Sequence, residues 1–582
     1  MDSIVYDMSS QSETDPNIFI KKDWVTILDN QNGIYSSNQS VIDTSQFSNS
    51  NKWINYRESY FTVPMLLTLT QTTASVNFTP AAPLNSSDYA LGLKNWYGSM
   101  IHSFSVDLAG TTIIQQTPFQ SLWNTFRLLT TLSYQDLLTI GPSIGFYPDN
   151  SSSWSYHSAV SPSSGVGVSN NSNAISNPLV TGVYNQLEVT NNGLYQRQRA
   201  WNFNLSGTSG VGGAAFSTLI TQANLQQIYK SSILAPVSGT VAIKGYWACQ
   251  IVGSVFLRHL HSFFNSLCLV KGMFMKMTMN LNNASSTVTV GSPTVASGSR
   301  VAQTQIYKAY TSNVPVGGCQ PIMIPSINTG SNWMRDANSD TTDTIYSYNI
   351  SVGAVCTDST VSQTLLSSYV GNVSKSIYLY VPAYTFNPVF EKAYLSNPVK
   401  QIKYTDVYQY QVLNIASGQP FNNLITNGIA NIKSVLIIPF YATSYSGASY
   451  LEYQSPFDSA GCGTTAPMVT LGNFNVQISG QNAIYNTQRY TFEEFNNQLY
   501  GQNSVNGGLT DGLSSGLIGF NDFQNSYCYH YVNVERMLPV EQSVPKSVQI
   551  VGTNYSTNTL NLWVFVEYGA EIAIDLLTGA RV

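Results

Sequence analysis

The chain has 582 residues, of which only 9% are charged, against about 25% in an ordinary soluble domain. Its 37 Tyr, 25 Phe and 9 Trp exclude intrinsic disorder, the lack of any uninterrupted apolar run near ~18 residues excludes a membrane-spanning helix, and a net charge of −5 argues against a free nucleic-acid-binding protein. Solubility carried by neutral polar groups suits a protein that packs against copies of itself, because few charges must be desolvated at its contacts.

Met1 to Asp15 is polar and acidic, with no basic and apolar regions of a secretory signal. Strand signals then dominate. Phe61–Thr70 and Ser103–Leu108 are rich in β-branched and aromatic residues bounded by Gly, Asn, Ser and Pro. Thr117 with Pro118 reads as a helix start, and Phe119, Leu122, Trp123, Phe126 and Leu129 form one apolar stripe. A Ser/Gly/Asn-rich stretch at 150–177 reads as a surface loop, and Phe216–Tyr229 as a second helix. Strands follow at Thr240–Gln250 and Gly272–Asn282. In the latter, Met273, Met275, Met277 and Met279 alternate with other residues and so share one face.

Residues 283–299 and 443–466 read as further surface loops. Ser376–Pro382, Ile432–Phe440, Phe474–Ser479, Tyr527–Val534 and Leu560–Tyr568 read as strands. Between them Thr491–Tyr500 reads as a helix, with capping-box spacing from Thr491 to Glu494 and a stop at Gly501. The six cysteines show no CxxC spacing, so they read as buried free thiols rather than a zinc site or disulfide framework.

One pattern occurs twice. Phe104, Val106 and Leu108 alternate into Gly110, Ile114 and a helix with Phe119 and Leu122. Phe474, Val476 and Ile478 alternate into Gly480, Ile484 and a helix with Phe492 and Phe495. The offset is 370 through the strand and turn and 373 in the helix. A repeat this long marks a tandem of modules rather than a solenoid. Two copies of about 250 residues each suit jelly rolls better than immunoglobulin-like sandwiches of about 100. The expected fold is all-β: two tandem eight-stranded jelly-roll sandwiches with a few short helical insertions. The expected organisation is an N-terminal arm at 1–50, a first jelly roll at 51–305 and a second at 306–582.

Catalytic, cofactor and metal motifs find no context. Gly512-Leu-Ser514-Ser-Gly516 matches a nucleophile elbow, but loop residues precede it where the elbow needs a strand, and its only nearby base is His530 in an apparent strand. Gly210-Val-Gly212-Gly-Ala-Ala215 lacks the acidic partner of a dinucleotide site. His259 and His261, at an apparent strand end, are two ligands where a metal needs at least three. No carboxylate pair stands out. The expectation is no enzyme, no cofactor and no metal.

Charge is segregated as well as scarce. Between Val189 and Arg335 there is no acidic residue, while Arg197, Arg199, Lys230, Lys244, Arg258, Lys271, Lys276, Arg300, Lys308 and Arg335 are basic. The flanks carry −7 and −8. Such a block is either scattered charge around one module or a basic face toward something acidic, either packaged nucleic acid or a neighbouring subunit.

Leu257-Arg-His-Leu-His-Ser-Phe-Phe264, Leu267 to Gly272 and Asn280-Leu-Asn282 resemble the segment closing the first barrel of double jelly-roll major capsid proteins of polinton-like viruses and virophages. Tyr380-Val-Pro-Ala-Tyr384, Ile437-Ile-Pro-Phe440, Ser455-Pro-Phe-Asp458, Asn506 to Leu517, Val544 to Gln549 and Val564-Phe-Val-Glu-Tyr568 resemble second-barrel segments, in order. The resemblance implies a homotrimeric, pseudo-hexagonal capsomer that meets neighbouring capsomers, penton and other minor capsid proteins. Such capsomers tile an icosahedral shell around double-stranded DNA in a virion. Genomic DNA at the inner face is one partner for the basic block; a host glycan or receptor is left open. Within the arm, Phe19, Ile20, Trp24 and Val25 are the expected assembly anchors, and deleting 1–45 is expected to spare trimers and impair shells. The alternative is a glycan-binding, lectin-like tandem sandwich, such as a virion attachment protein.

Overall fold

The computed structural model describes residues 17–31, 33, 35, 38–47, 50–71, 89–93, 95–148, 246–282, 284–290, 307–312, 321–325, 346–353, 376–442, 469, 471–484, 490–499, 515–525, 527–535, 543–556 and 559–582. Two sets of eight strands carry the architecture. The first is β1 (Phe19–Leu28), β2 (Gln39–Asp43), β3 (Tyr60–Gln71), β4 (Ile101–Leu108), β5 (Thr111–Ile114), β6 (Tyr246–Phe256), β7 (Met275–Leu281) and β8 (Tyr378–Phe386). The second is β9 (Val399–Ile415), β10 (Pro420–Ile429), β11 (Ile432–Tyr441), β12 (Leu471–Ile478), β13 (Gln481–Asn482), β14 (His530–Asn533), β15 (Lys546–Asn554) and β16 (Leu560–Asp575).

The sheet orders are the decisive observation. The first set forms β1-β8-β3-β6 and β2-β7-β4-β5, all antiparallel. The second set forms β9-β16-β11-β14 and β10-β15-β12-β13, again antiparallel. Adding eight to each strand of the first set reproduces the second. In each set, strands one, eight, three and six form one sheet, and two, seven, four and five the other. This is the jelly-roll order, so the chain is a double jelly roll.

The repeated sequence pattern is the same hairpin in both modules. Ala109 and Gly110 lie at φ +48° and +86°, Ser479 and Gly480 at +50° and +81°. Two successive residues at positive φ make the two-residue turn whose twist matches paired strands. Leu108 pairs with Thr111 across one turn and Ile478 with Gln481 across the other. Strand patterning follows burial: Met273, Met275, Met277 and Met279 are all fully buried. In β16, Leu562, Val564 and Val566 face the second sandwich's interior while Trp563 and Phe565 face the first module.

Five expectations need correcting. First, the first jelly roll is not 51–305. Its first two strands lie at 19–43 and its last at 378–386, so residues read as an N-terminal arm and as second-module sequence close the first sandwich. Second, the 1–50 stretch is therefore not a detachable arm over its strand-forming part: β1 pairs with β8 along nine residues. Third, part of the expected 283–299 loop is strand. Ala284–Val290 pairs with Tyr307–Ser312 and Tyr346–Gly353, and the latter extends the sheet beside the far half of β3. A strongly polar strand at a sheet extension has the composition of a loop. Fourth, the helix after β5 is α1 (Gln120–Thr131), and Thr117 does not cap it. Phe119 stands at the N-cap with φ +55°, and the Thr117 hydroxyl donates to the Val407 carbonyl at 2.8 Å. Fifth, His259 lies in a short helical turn, Leu257–Leu260, rather than at a strand end.

Among the described residues, the longer helices after α1 are α2 (Tyr134–Ile144), α3 (Pro388–Tyr394), α4 (Phe492–Leu499) and α5 (Phe520–Asn525). α4 starts as its sequence predicts, with the Glu494 amide donating to Thr491 Oγ1 at 3.4 Å. α2 has a complete capping box between Ser133 and Asp136. Cys268 and Cys528 are free thiols; the helix expected at 216–229 and the loops at 150–177 and 443–466 lie outside the described residues.

Candidate assembly interfaces

The first interface is internal. α1 lies between the modules, and its stripe splits between two tasks. Leu122 and Leu129 are buried in the core of the first module. Phe119 meets Trp563 edge-on at 5.9 Å, Trp123 meets Phe565 at 6.3 Å, and Phe126 meets Tyr529 and Tyr531 at 5.1 and 5.4 Å. Aromatic pairs at these distances contribute roughly 0.5–1.5 kcal/mol each beyond the area they bury. The outer face of the β9-β16-β11-β14 sheet is thereby buried, so this sheet has protein on both sides. That explains why β16 reads as a nearly continuous apolar run rather than an alternating one.

Polar contacts fix the register of the joint. Tyr404 donates to the Ile113 carbonyl at 2.8 Å, and Ser262 Oγ donates to the Thr405 carbonyl at 2.5 Å while accepting from the Thr405 amide at 3.0 Å. His261 Nδ1 accepts from the Phe263 amide at 3.2 Å, which leaves the proton on Nε2 facing Asp406 Oδ1 at 3.3 Å. Lys271 pairs with Glu391 at 2.5 Å, and Glu391 also accepts from the Trp53 indole at 2.9 Å. That lysine draws the Glu391 carboxyl below the usual carboxylate range. Gly516 sits where a Cβ would come within 2.5 Å of the Leu129 carbonyl at the end of α1, and the Leu517 amide donates to that carbonyl at 2.8 Å.

The second interface is an open face. The first module's β1-β8-β3-β6 sheet carries an aromatic row on its outer side. Tyr60 stacks on Tyr380 at 5.1 Å and leans on Phe256 at 5.5 Å, and Trp24 meets Tyr60 edge-on at 5.9 Å. Trp24 is 51% exposed, Val252 47% and Ile20 66%. The four expected anchors therefore divide. Ile20 and Trp24 stand on solvent-facing positions of β1. Phe19 packs on Tyr384 and Phe386 at 4.7 and 4.8 Å, and Val25 packs against the module's own core. Period-two alternation within 19–28 could have revealed this split, had the segment been read as a strand.

The ten basic residues do not come together as one described patch. Arg197, Arg199, Lys230, Lys244, Arg300 and Arg335 lie outside the described residues, and Lys308 is placed only by its strand. Arg258 lies over the Phe256 ring at 5.1 Å. Lys271 is held in the module joint. Lys276 is exposed on β7, with Asp43 and Asp107 as its register partners on either side. Glu58 and Asp136 lie near Arg258, so acids from outside the block accompany all three bases whose side chains are described.

The remaining motifs resolve into core chemistry. His259 packs between Trp96 and Phe256, and burial pushes its pKa down to about 3. His530 lies against Phe474 and Tyr490, bonded to the Cys528 carbonyl at 3.1 Å, and burial pushes its pKa down to about 4. A ring so enclosed does not serve a serine, and Ser514 itself lies outside the described residues. No group of three His, Cys, Asp or Glu able to hold a metal occurs among the described residues.

No protein-family model matches the chain, and no curated protein matches it. Among solved structures, the chain is similar to the mavirus major capsid protein at 9% identity and a TM-score of 0.43, over 97% of this chain and 90% of that one. It is similar to the Sputnik virophage structure solved by cryo-EM at 12% identity and a TM-score of 0.42, over 97% and 89%. A third likeness is to the Faustovirus major capsid protein, at 10% identity and a TM-score of 0.42, over 96% and 91%. The fold assignment rests on the strand order and the paired hairpins.

Proposed function

We propose that the chain is a major capsid protein, a non-enzymatic subunit that assembles into the shell of a double-stranded DNA virus and resides in the virion. The observation that carries this reading is the double jelly roll itself: one eight-strand order built twice and joined through a buried aromatic interface. Two alike modules per chain let three chains present six similar flanks, so one type of surface meets neighbours in every direction. The ordered series of sequence segments resembling this family supports the same reading. So does the low charge, because a subunit walled by its copies desolvates few ions.

The capsomer of this reading is a homotrimer of pseudo-hexagonal outline. Its partners are neighbouring capsomers and minor capsid proteins at the vertices. The test is solution mass with electron microscopy of the purified protein. Hexagonal particles near three times 63.8 kDa are expected. A monomer that forms no larger species at any concentration overturns the reading, and binding of that monomer on a glycan array would put a lectin-like function in its place.

A further inference from the structure

At the end of the second module away from the C-terminus, the turn from β9 to β10 meets the loop from β15 to β16. There Tyr555 is 57% exposed. A lone exposed aromatic residue needs no explanation, but this one is held in place. Asn554 and Ser556 on either side of it are buried. The Asn554 side chain donates to the Ile415 carbonyl at 2.9 Å and accepts from the Ser556 amide at 2.9 Å, and Ser417 Oγ donates to the Ser556 carbonyl at 2.6 Å. Asn473 Nδ2 donates to the Tyr555 hydroxyl at 3.3 Å. Beneath the ring lies Gly472, where a Cβ would come within 1.9 Å of it. Gly472 does not have a positive φ, so its missing side chain serves the ring rather than the backbone. One face of the ring is seated on β12, and the exposure belongs to the other.

The surface beside the ring is polar and uncharged. Side chains alternate along a strand, so with Ile550 in the interior, Val551 and Thr553 face outward, and Asn422 and Pro420 are their register partners. Asn422 and Asn473 are exposed. The four strands β10, β15, β12 and β13 carry a single charged residue, Lys546, at the far end of β15.

We propose that this corner binds a neutral oligosaccharide, with the C–H face of one pyranose ring on Tyr555 and the amides and hydroxyl of Asn473, Asn422 and Thr553 bonding the sugar hydroxyls. A pyranose has an apolar face and a rim of uncharged hydroxyls. A tyrosine plane meets the face at little entropic cost, having only two side-chain torsions, and side-chain amides offer the rim both donors and acceptors. Asn422 lies two strand spacings from β12, about 10 Å, which is the reach of a second sugar ring. The site lies within one chain and goes beyond the capsomer reading without resting on it.

The test is an array of neutral, sulfated and sialylated oligosaccharides probed with the full-length protein, its mass measured in the same buffer. Binding to neutral glycans is expected. Tyr555→Ala is expected to weaken it about tenfold or more, as loss of a central aromatic anchor does, with the thermal melt unchanged. Tyr555→Phe, which keeps the ring, and Lys546→Ala, at the far end of the sheet, are expected to retain it. A wild type that binds nothing, binding confined to acidic glycans, or binding that survives Tyr555→Ala each overturns the site. The mass keeps the readings apart. Trimers that bind uphold both, trimers that do not bind overturn this site alone, and binding by a chain that stays monomeric upholds the site and overturns the capsomer.

Discussion

The two jelly rolls share a strand order and differ in what surrounds their cores. The interior of the second is mostly aliphatic, with Val435, Ile437, Val476, Val548, Ile550 and Val564 fully buried alongside Phe474 and Phe421. The interior of the first is richer in methionine and aromatic side chains, and it runs without a break into the joint, where Trp123 and Phe126 reach Phe565 and Tyr531. The second module therefore has a core of its own, and the first has a core that includes its neighbour's outer face. The order of dependence is asymmetric in sequence too. The first module waits for β8, which arrives after residue 377, whereas the second uses only residues from 399 onward.

The most severe break of this asymmetry is deletion of residues 1–45. It removes β1 and β2, one strand from each sheet of the first sandwich, and uncovers the edges of β8 and β7. Loss of soluble, folded protein is the expected result, rather than an intact subunit that merely fails to assemble. Size-exclusion chromatography of the truncated chain checks it, and a well-folded truncated chain would contradict the strand assignment. Next in size is Trp123→Ala. Truncating a buried tryptophan costs roughly 3–5 kcal/mol, and here the loss falls on the joint rather than on either interior. Calorimetry is expected to split one unfolding transition into two, with the second module's peak nearly unmoved. Val564→Ala, inside the second module's own core, is expected to lower that peak instead.

The sequence made the second module legible and half-hid the first. Strands such as Ile432–Phe440 are β-branched and bounded by turns, so their type is legible even though their partners in β14 and β16 lie far along the chain. The echoed hairpin was legible because a turn with two positive-φ residues needs its glycine, and the glycine recurs at the same step from Phe104 and Phe474. The module boundary was not legible. β1 and β8 are neighbours across at least 350 residues of chain, as in the pair Leu28 and Tyr378, and no local pattern records a partner that distant. Thr117 misled for a related reason. Its hydroxyl had a carbonyl of the other module to satisfy, and a tertiary partner overrode the local cap. The division of the α1 stripe between core and joint was equally invisible, since both faces ask for the same apolar residues.

A smaller effect compares the modules by proton. Burial keeps His259 neutral in the first module and His530 neutral in the second, with folded pKa values near 3 and 4 against an ordinary 6.5. The unfolded chain takes up a proton below pH 6.5 that the folded chain refuses, so stability is present above that pH and is lost as pH falls toward the folded value. Between pH 7 and pH 5 each buried ring costs about 2 kcal/mol of stability. In the Trp123→Ala background, where the two transitions are separated, replacing His530 by Gln is expected to flatten the acid slope of the second module's transition alone, and His259→Gln that of the first. Denaturant titrations at pH 7 and pH 5 measure both. Equal flattening of one shared transition would mean that the joint couples the modules more tightly than their cores separate them.

The smallest effect addresses the hairpins, where the modules are most alike. Ala109 and Ser479 each hold a non-glycine residue at φ near +50°, a region that costs an L-residue roughly 1–2 kcal/mol. Asparagine tolerates it better, and Asn-Gly is the preferred pair for this turn. Ala109→Asn and Ser479→Asn are each expected to stabilise their own module by up to about 1 kcal/mol, read as a rise in the corresponding transition. Ala109 and Ser479 are both exposed, so backbone conformation governs the outcome. If Ser479→Asn stabilises and Ala109→Asn does not, the first hairpin is held by its surroundings rather than by its own turn. That is the behaviour expected of a module whose core is continuous with its neighbour.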